Sequence, residues 1–154
     1  MRSTSGGAIT WGWHTLKAWS STQAVLALSS AEAELYAMTK AASVATGIVS
    51  MAADFGEVWT VKLLGDSSAA MGIAYRQGLG KVRHLDVQQL WIQQKVLMKK
   101  IKLEKVAGTS NVADMMTKYL ASDSMEKIVH ELGFEYTPGR AASAPKMSKD
   151  VEGF

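Results

Sequence analysis

Glu34, Asp66 and Asp114 are the residues whose types and settings could do chemistry together. The stretch 26–38, LALSSAEAELYAM, ends an apolar run, caps a helix and presents two carboxylates. Ser29 and Glu32 are spaced as a capping box, in which the serine hydroxyl accepts from the third helical amide while the glutamate reaches back. Glu34 has no such local role. It lies about 200° further around the helix than Glu32 and beside Leu35 and Met38, at the edge of the core-facing stripe. A carboxylate there is costly to bury unless it leans into solvent or holds a ligand. Asp66 stands at the end of an apolar run, where ligands of α/β sheets collect beyond the carboxyl ends of strands. It could equally cap the helix that follows. Asp114, three residues after Asn111, could be the acidic half of a capping pair. If the three converge, a chain with no cysteine and only three histidines points to a hard, oxygen-seeking cation. Mg²⁺ is the first choice and Mn²⁺ the alternative. Two such ions can hold the attacking and leaving oxygens of a phosphodiester.

A second group is basic. Lys81, Arg83 and His84 sit in KVRH at the head of a helical stretch, where they could meet a phosphate backbone or form a solvated turn. Asp86, in that helix's first turn, reads as compensation of the dipole. Lys99, Lys100 and Lys102 read as a solvated face, and His14 and His130 as surface residues. The five tryptophans fall mostly at core spacing and do not read as base-stacking platforms.

These side chains need elements to hold them. Residues 7–13 alternate as a strand, with Ile9, Trp11 and Trp13 on one face. A turn at His14 and Thr15 leads to a returning strand through 16–19 and 24–28, interrupted by SSTQ. A helix is expected from about 30 to 53, with the stripe Leu35, Met38, Ala42, Ala45, Val49 and Ala52. Residues 59–65, WTVKLLG, have the pattern of a buried strand. A small-residue helix follows Asp66, GLGK is a loop, 84–99 is helical, and 101–106 is a short strand. Asn111 caps a helix bearing Asp114, and a last amphipathic helix covers 122–132. The order predicts a mixed sheet with helices packed on it.

The 154 residues suit one domain, and 47% apolar residues suffice for a core. A net charge of +3 and a pI of about 9.1 permit a polyanionic partner without requiring one. The absence of cysteine excludes disulfides and thiolate chemistry and suits a reducing compartment. The opening MRSTSGG has no apolar core for secretion, and no run reaches the length of a membrane span. The expected location is therefore cytoplasmic or nuclear.

Six segments then fall in one order: RSTSGG at 2–7, LKAWSS at 16–21, LSSAEAE at 28–34, LLGDSSAA at 63–70, RHLD at 83–86 and NVADMMTK at 111–118. In this order and spacing the chain resembles the ribonuclease H domain of copia-type long-terminal-repeat retrotransposon polyproteins, over residues 2–134. The remainder, 137–154, holds both prolines and reads as a disordered tail. The resemblance implies an α/β fold, an RNase H-like mixed sheet flanked by helices and truncated at its N-terminus. It implies Mg²⁺-dependent cleavage of RNA in an RNA–DNA hybrid, with Glu34, Asp66 and Asp114 as metal-binding catalytic carboxylates. The partners it implies are the hybrid and an upstream reverse transcriptase segment. His84 matches a histidine that is structural or touches the hybrid. One departure stands out. The family's first ligand is an aspartate on an opening strand just before the Ser-Thr-Ser-Gly segment, and the first acidic residue here is Glu32. That strand belongs in the middle of the family's sheet, and without it its neighbours should expose unpaired edges. The expectation is a fragment with weak or absent cleavage. The rival expectations are a catalytically dead nucleic-acid-binding module and a remnant whose sheet does not form stably.

Overall fold

The computed structural model of the chain describes residues 2–78, 87–135 and 139. It is a mixed α/β structure. Strands β1 (Thr4–Trp11) and β2 (His14–Thr22) form an antiparallel hairpin, with Gly7 opposite Trp19 and Ser5 opposite Ser21. The turn falls at Gly12 and Trp13, earlier than the sequence pattern placed it. Gly12 has a φ of 57°, the left-handed conformation that glycine adopts without penalty. β2 runs straight through the polar residues expected to interrupt it, and 24–28 is not a strand. The reason is Gln23. Its backbone amide donates to Ser3 O at 2.8 Å, and its side-chain amide donates to Ser5 Oγ at 2.9 Å and Ala33 O at 2.8 Å. These bonds end the hairpin and turn the chain toward the next helix, leaving Leu26 and Leu28 exposed.

Helix α1 (Ser30–Asp54) is the spine of the molecule. Ser29 Oγ accepts from the Glu32 amide at 3.2 Å, as the capping box requires. The reciprocal bond goes one residue further back than the standard box, from the Leu28 amide to Glu32 Oε2 at 2.8 Å. Leu35, Met38, Ala42 and Ala52 of the expected stripe are buried, while Ala45 and Val49 are half-buried. Gly56, at φ 83°, closes the segment.

Strands β3 (Val61–Gly65) and β4 (Ile101–Lys105) pair in parallel, with Leu63 opposite Leu103. Between them run α2 (Ser68–Tyr75) and α3 (Val87–Leu97). Leu63, Ile73, Ala74, Ile92, Ile101 and Leu103 join Leu35 and Met38 in one core. Buried Gln93 ties α3 to the end of α2: its amide donates to Ile73 O at 2.9 Å and Gly78 O at 3.0 Å, and its oxygen accepts from the Gly78 amide at 2.9 Å. Two 3₁₀ turns, Gly108–Ser110 and Val112–Met116, lead to α4 (Ser122–Glu131). Ile128 and Leu132 bury there, and Thr15 Oγ1 donates to Leu132 O at 2.6 Å, fastening α4 to the hairpin.

Two expectations are corrected. The single mixed sheet is two two-stranded sheets, β1–β2 and β3–β4, both packed on α1. No backbone hydrogen bond joins β1 to β3 among the described residues. Nor do the tryptophans fill the core as their spacing suggested: Trp91 packs against it half-buried, but Trp11 and Trp13 are exposed. Trp13 sits in the hairpin turn and is 88% exposed, while Trp11 leaves its strand face to stack on Trp59 with ring centroids 5.0 Å apart. No described helix is long and apolar enough to cross a membrane.

Candidate active site

Each of the three carboxylates comes from a different element. Glu34 projects from the first turns of α1 and is exposed, at the edge of the core-facing stripe where the helical period placed it. Glu32, two residues earlier, is buried and occupied: besides the Leu28 amide it accepts from Tyr36 Oη at 3.3 Å. The two glutamates therefore separate into a structural one and an available one.

Asp66 follows the last residue of β3. It is not the cap of α2. Ser67 is, accepting from the Ala70 amide at 3.2 Å through its hydroxyl. Asp66 makes no side-chain hydrogen bond among the described residues, and the plainer explanation for an acid at this position is removed. Gly108 passes close by, so that a Cβ there would lie 3.7 Å from Asp66 Oδ2.

Asp114 lies in the 3₁₀ turn Val112–Met116 and not in the α-helix expected there. Asn111 begins the turn as anticipated, accepting from the Ala113 amide at 3.2 Å and donating its own side-chain amide to Asp114 Oδ1 at 3.3 Å. The turn packs onto β1 because residue 6 is glycine. A Cβ at Gly6 would come within 2.6 Å of Met116 Cβ and 2.7 Å of Thr117 Cγ2. The glycine pair of RSTSGG thus has a physical reason. Gly6 admits the turn that carries Asp114, and Gly7 admits the Trp19 ring, which a Cβ there would overlap.

The electrostatics record the convergence. The Glu34 carboxyl is held above its ordinary range, first because the protein on its inner side removes water although its outer side is open. The charges of Asp66 and Asp114 raise it further, and that of Lys118 lowers it. Lys118 is a member of this corner that residue-type reasoning passed over. Its Nζ lies 2.8 Å from Asp114 Oδ2, and its pKa is raised by that hydrogen bond first and then by the charges of Asp114, Asp66 and Glu34. The four-residue spacing from Asp114 was the available signal, since it is the spacing of a helical ion pair.

Three carboxylates facing one ammonium leave the corner net negative, and the donor set is all oxygen. In chemistry and charge it fits a hard dication. As the side chains stand, no three acidic or histidine groups among the described residues cluster closely enough to hold a metal ion. Ligation therefore requires the carboxylates to draw closer and Asp114 to exchange its ammonium partner.

Glu34 and Asp66 also line one end of a cleft of about 230 Å³. Its walls are β1 and β3, and its floor is the alanine face of α1. Residue-by-residue reasoning did not anticipate this cavity, because it exists only through the separation of the two sheets. The basic residues Lys81, Arg83 and His84, with Asp86, lie outside the described residues. Compared with protein-family models, curated proteins and solved structures, the chain gives no match.

Proposed function

We propose that this chain is an RNase H-like module of retrotransposon origin. Glu34, Asp66 and Asp114 take Mg²⁺, with Mn²⁺ the alternative, beside the RNA strand of an RNA–DNA hybrid. The reading is supported above all by the charges of Asp66 and Asp114, from segments far apart in the chain, acting on both Glu34 and Lys118. When bound, the cation supplies a Lewis acid for the phosphodiester oxygens. Glu34, whose carboxyl is held above its ordinary range by burial and by the charge of Asp66, is the member that gives up its proton least readily. Asp66, without a competing hydrogen bond, is the member ready to ligate. Lys118 offsets part of the corner's negative charge until a cation arrives.

The test is a labelled RNA–DNA hybrid with purified chain and Mg²⁺. The expected result is cleavage that requires Mg²⁺ and disappears in Glu34→Gln. Cleavage that persists without divalent cation, or survives Glu34→Gln, contradicts the assignment.

A second reading is favoured by one observation, the ion pair that holds Asp114 to Lys118. It is a nucleic-acid-binding module without chemistry. It expects hybrid binding that weakens steeply with salt and is reduced when Lys81 and Arg83 are neutralised, with no cation dependence in Glu34.

A further inference from the structure

Both oxygens of Asp114 have partners within the chain. Oδ1 accepts from the Asn111 side-chain amide at 3.3 Å, and Oδ2 accepts from Lys118 Nζ at 2.8 Å. The two partners differ in how firmly they are held. Asn111 caps the 3₁₀ turn, and its own side-chain oxygen accepts from the Ala113 amide, so the turn fixes it. Lys118 lies just beyond the turn. Its backbone is pinned, since its amide donates to Asp114 O at 2.8 Å. Its side chain is 57% exposed, against 16% for Asp114, and ends in an ammonium on a flexible four-carbon stem. The ammonium therefore covers Asp114 from the solvent side, and it can swing into water without disturbing the backbone beneath it. The charges of Asp66 and Glu34 act on it together with that of Asp114. An ammonium drawn by all three carboxylates competes with any other cation for the same charges. A monovalent ion brings no more charge than the ammonium it would replace, whereas a dication brings twice as much.

We propose that Lys118 is a built-in competitor for the cation of the acidic corner: its ammonium occupies Asp114 until a dication displaces it, and so sets the divalent concentration at which the corner fills. The inference rests on the cation reading of the corner and adds to it a residue that holds no metal itself. Lys118 is a positioning residue that acts through Asp114. The direction of its effect separates this role from a merely structural one. If the lysine side chain were needed to orient Asp114, its removal would weaken cation binding. As a competitor, its removal strengthens binding, because Asn111 and the backbone bonds from the Thr117 and Lys118 amides to Asp114 O still hold residue 114 in place. Loss of an exposed ion pair, together with relief of the repulsion between ammonium and dication, corresponds to about a three- to tenfold gain in affinity. Arginine keeps the charge and grips a carboxylate with a planar fork, so Lys118→Arg binds the cation no more tightly than the unaltered chain.

The test is a Mn²⁺ titration of the full chain, read by the electron paramagnetic resonance signal of the free ion, on the unaltered protein, Lys118→Gln, Lys118→Arg and Lys127→Gln. Lys127 pairs with Glu131 on α4 and controls for the change in net charge alone. The expected result is binding about three- to tenfold tighter in Lys118→Gln and no tightening in the other two variants. A second measurement needs no variant. In the unaltered chain carrying ¹³C-labelled lysine, Mg²⁺ moves the Lys118 Cε signal toward that of a solvated lysine as the ammonium leaves Asp114. Unchanged or weaker Mn²⁺ binding in Lys118→Gln, equal tightening in Lys127→Gln, or a Lys118 Cε signal that does not respond to saturating Mg²⁺ overturns the inference and leaves the cation reading standing. Absence of Mn²⁺ binding in both the unaltered chain and Lys118→Gln overturns the two together.

Discussion

At the residue scale the molecule divides its two neighbouring glutamates by environment. Glu32 is buried and accepts from the Leu28 amide and from Tyr36, whereas Glu34 stands on the rim among like charges. Glu32→Ala removes a buried hydrogen-bonded carboxylate at a helix start and is expected to lower stability by about 1–3 kcal/mol. Glu34→Gln has the opposite sign. A carboxylate whose folded pKa is raised is destabilising once pH exceeds that pKa and neutral in effect below the unfolded value. Glu34→Gln therefore stabilises at pH 7 and not below pH 4, by roughly 0.2–1 kcal/mol after solvent screening. Thermal melts of both variants at the two pH values check this. Lys118→Gln removes the influence that lowers Glu34. The Glu34 pKa, read by carbon-detected NMR titration, is expected to rise further, while stability falls by no more than about 0.5 kcal/mol, the value of an exposed helical pair.

At the element scale, packing of the 3₁₀ turn on β1 positions Asp114, and Gly6 permits that packing. Gly6→Val is expected to push the turn off the strand, costing about 1–3 kcal/mol, and to change the Glu34 pKa as Asp114 and its partner Lys118 withdraw together. A melt combined with the NMR titration separates the two effects, and an unchanged Glu34 would mean that the turn does not depend on residue 6. Much at this scale was legible in the sequence. The period of Leu35, Met38 and Ala42, together with the spacing of Ser29 and Glu32, located α1 and separated Glu34 from Glu32. Alternation in IKLEK located β4 and its buried Ile101 and Leu103. Other features were hidden because tertiary contacts decide them. Gln23 ends the hairpin through bonds to Ser5 and Ala33, so an apolar, strand-like run at 24–28 stays outside any sheet. Ser67 takes the cap that Asp66 was equally placed to take, a choice between adjacent side chains that spacing alone cannot make.

At the scale of the whole molecule, the strand order read from the sequence is correct and the sheet is not continuous. Four strands in two pairs meet on α1 with a cleft between them, and the acidic corner closes one end of it. Local periodicity assigns strands but does not assign their partners, which is why a single sheet was the natural expectation. The same arrangement ties stability to the corner. A dication that bridges α1, β3 and the turn on β1 links both half-sheets, so binding should raise the melting temperature of the whole chain. Excess EDTA is expected to reverse that rise, and Asp66→Asn to abolish it.

The most direct measurement is paramagnetic broadening of amide NMR signals by substoichiometric Mn²⁺. The account predicts that signals around Glu34, Asp66 and Asp114 broaden together, that added Mg²⁺ restores them, and that Asp66→Asn removes the effect at all three. Broadening centred on any one of these residues without the others, or at another acidic patch, would contradict it.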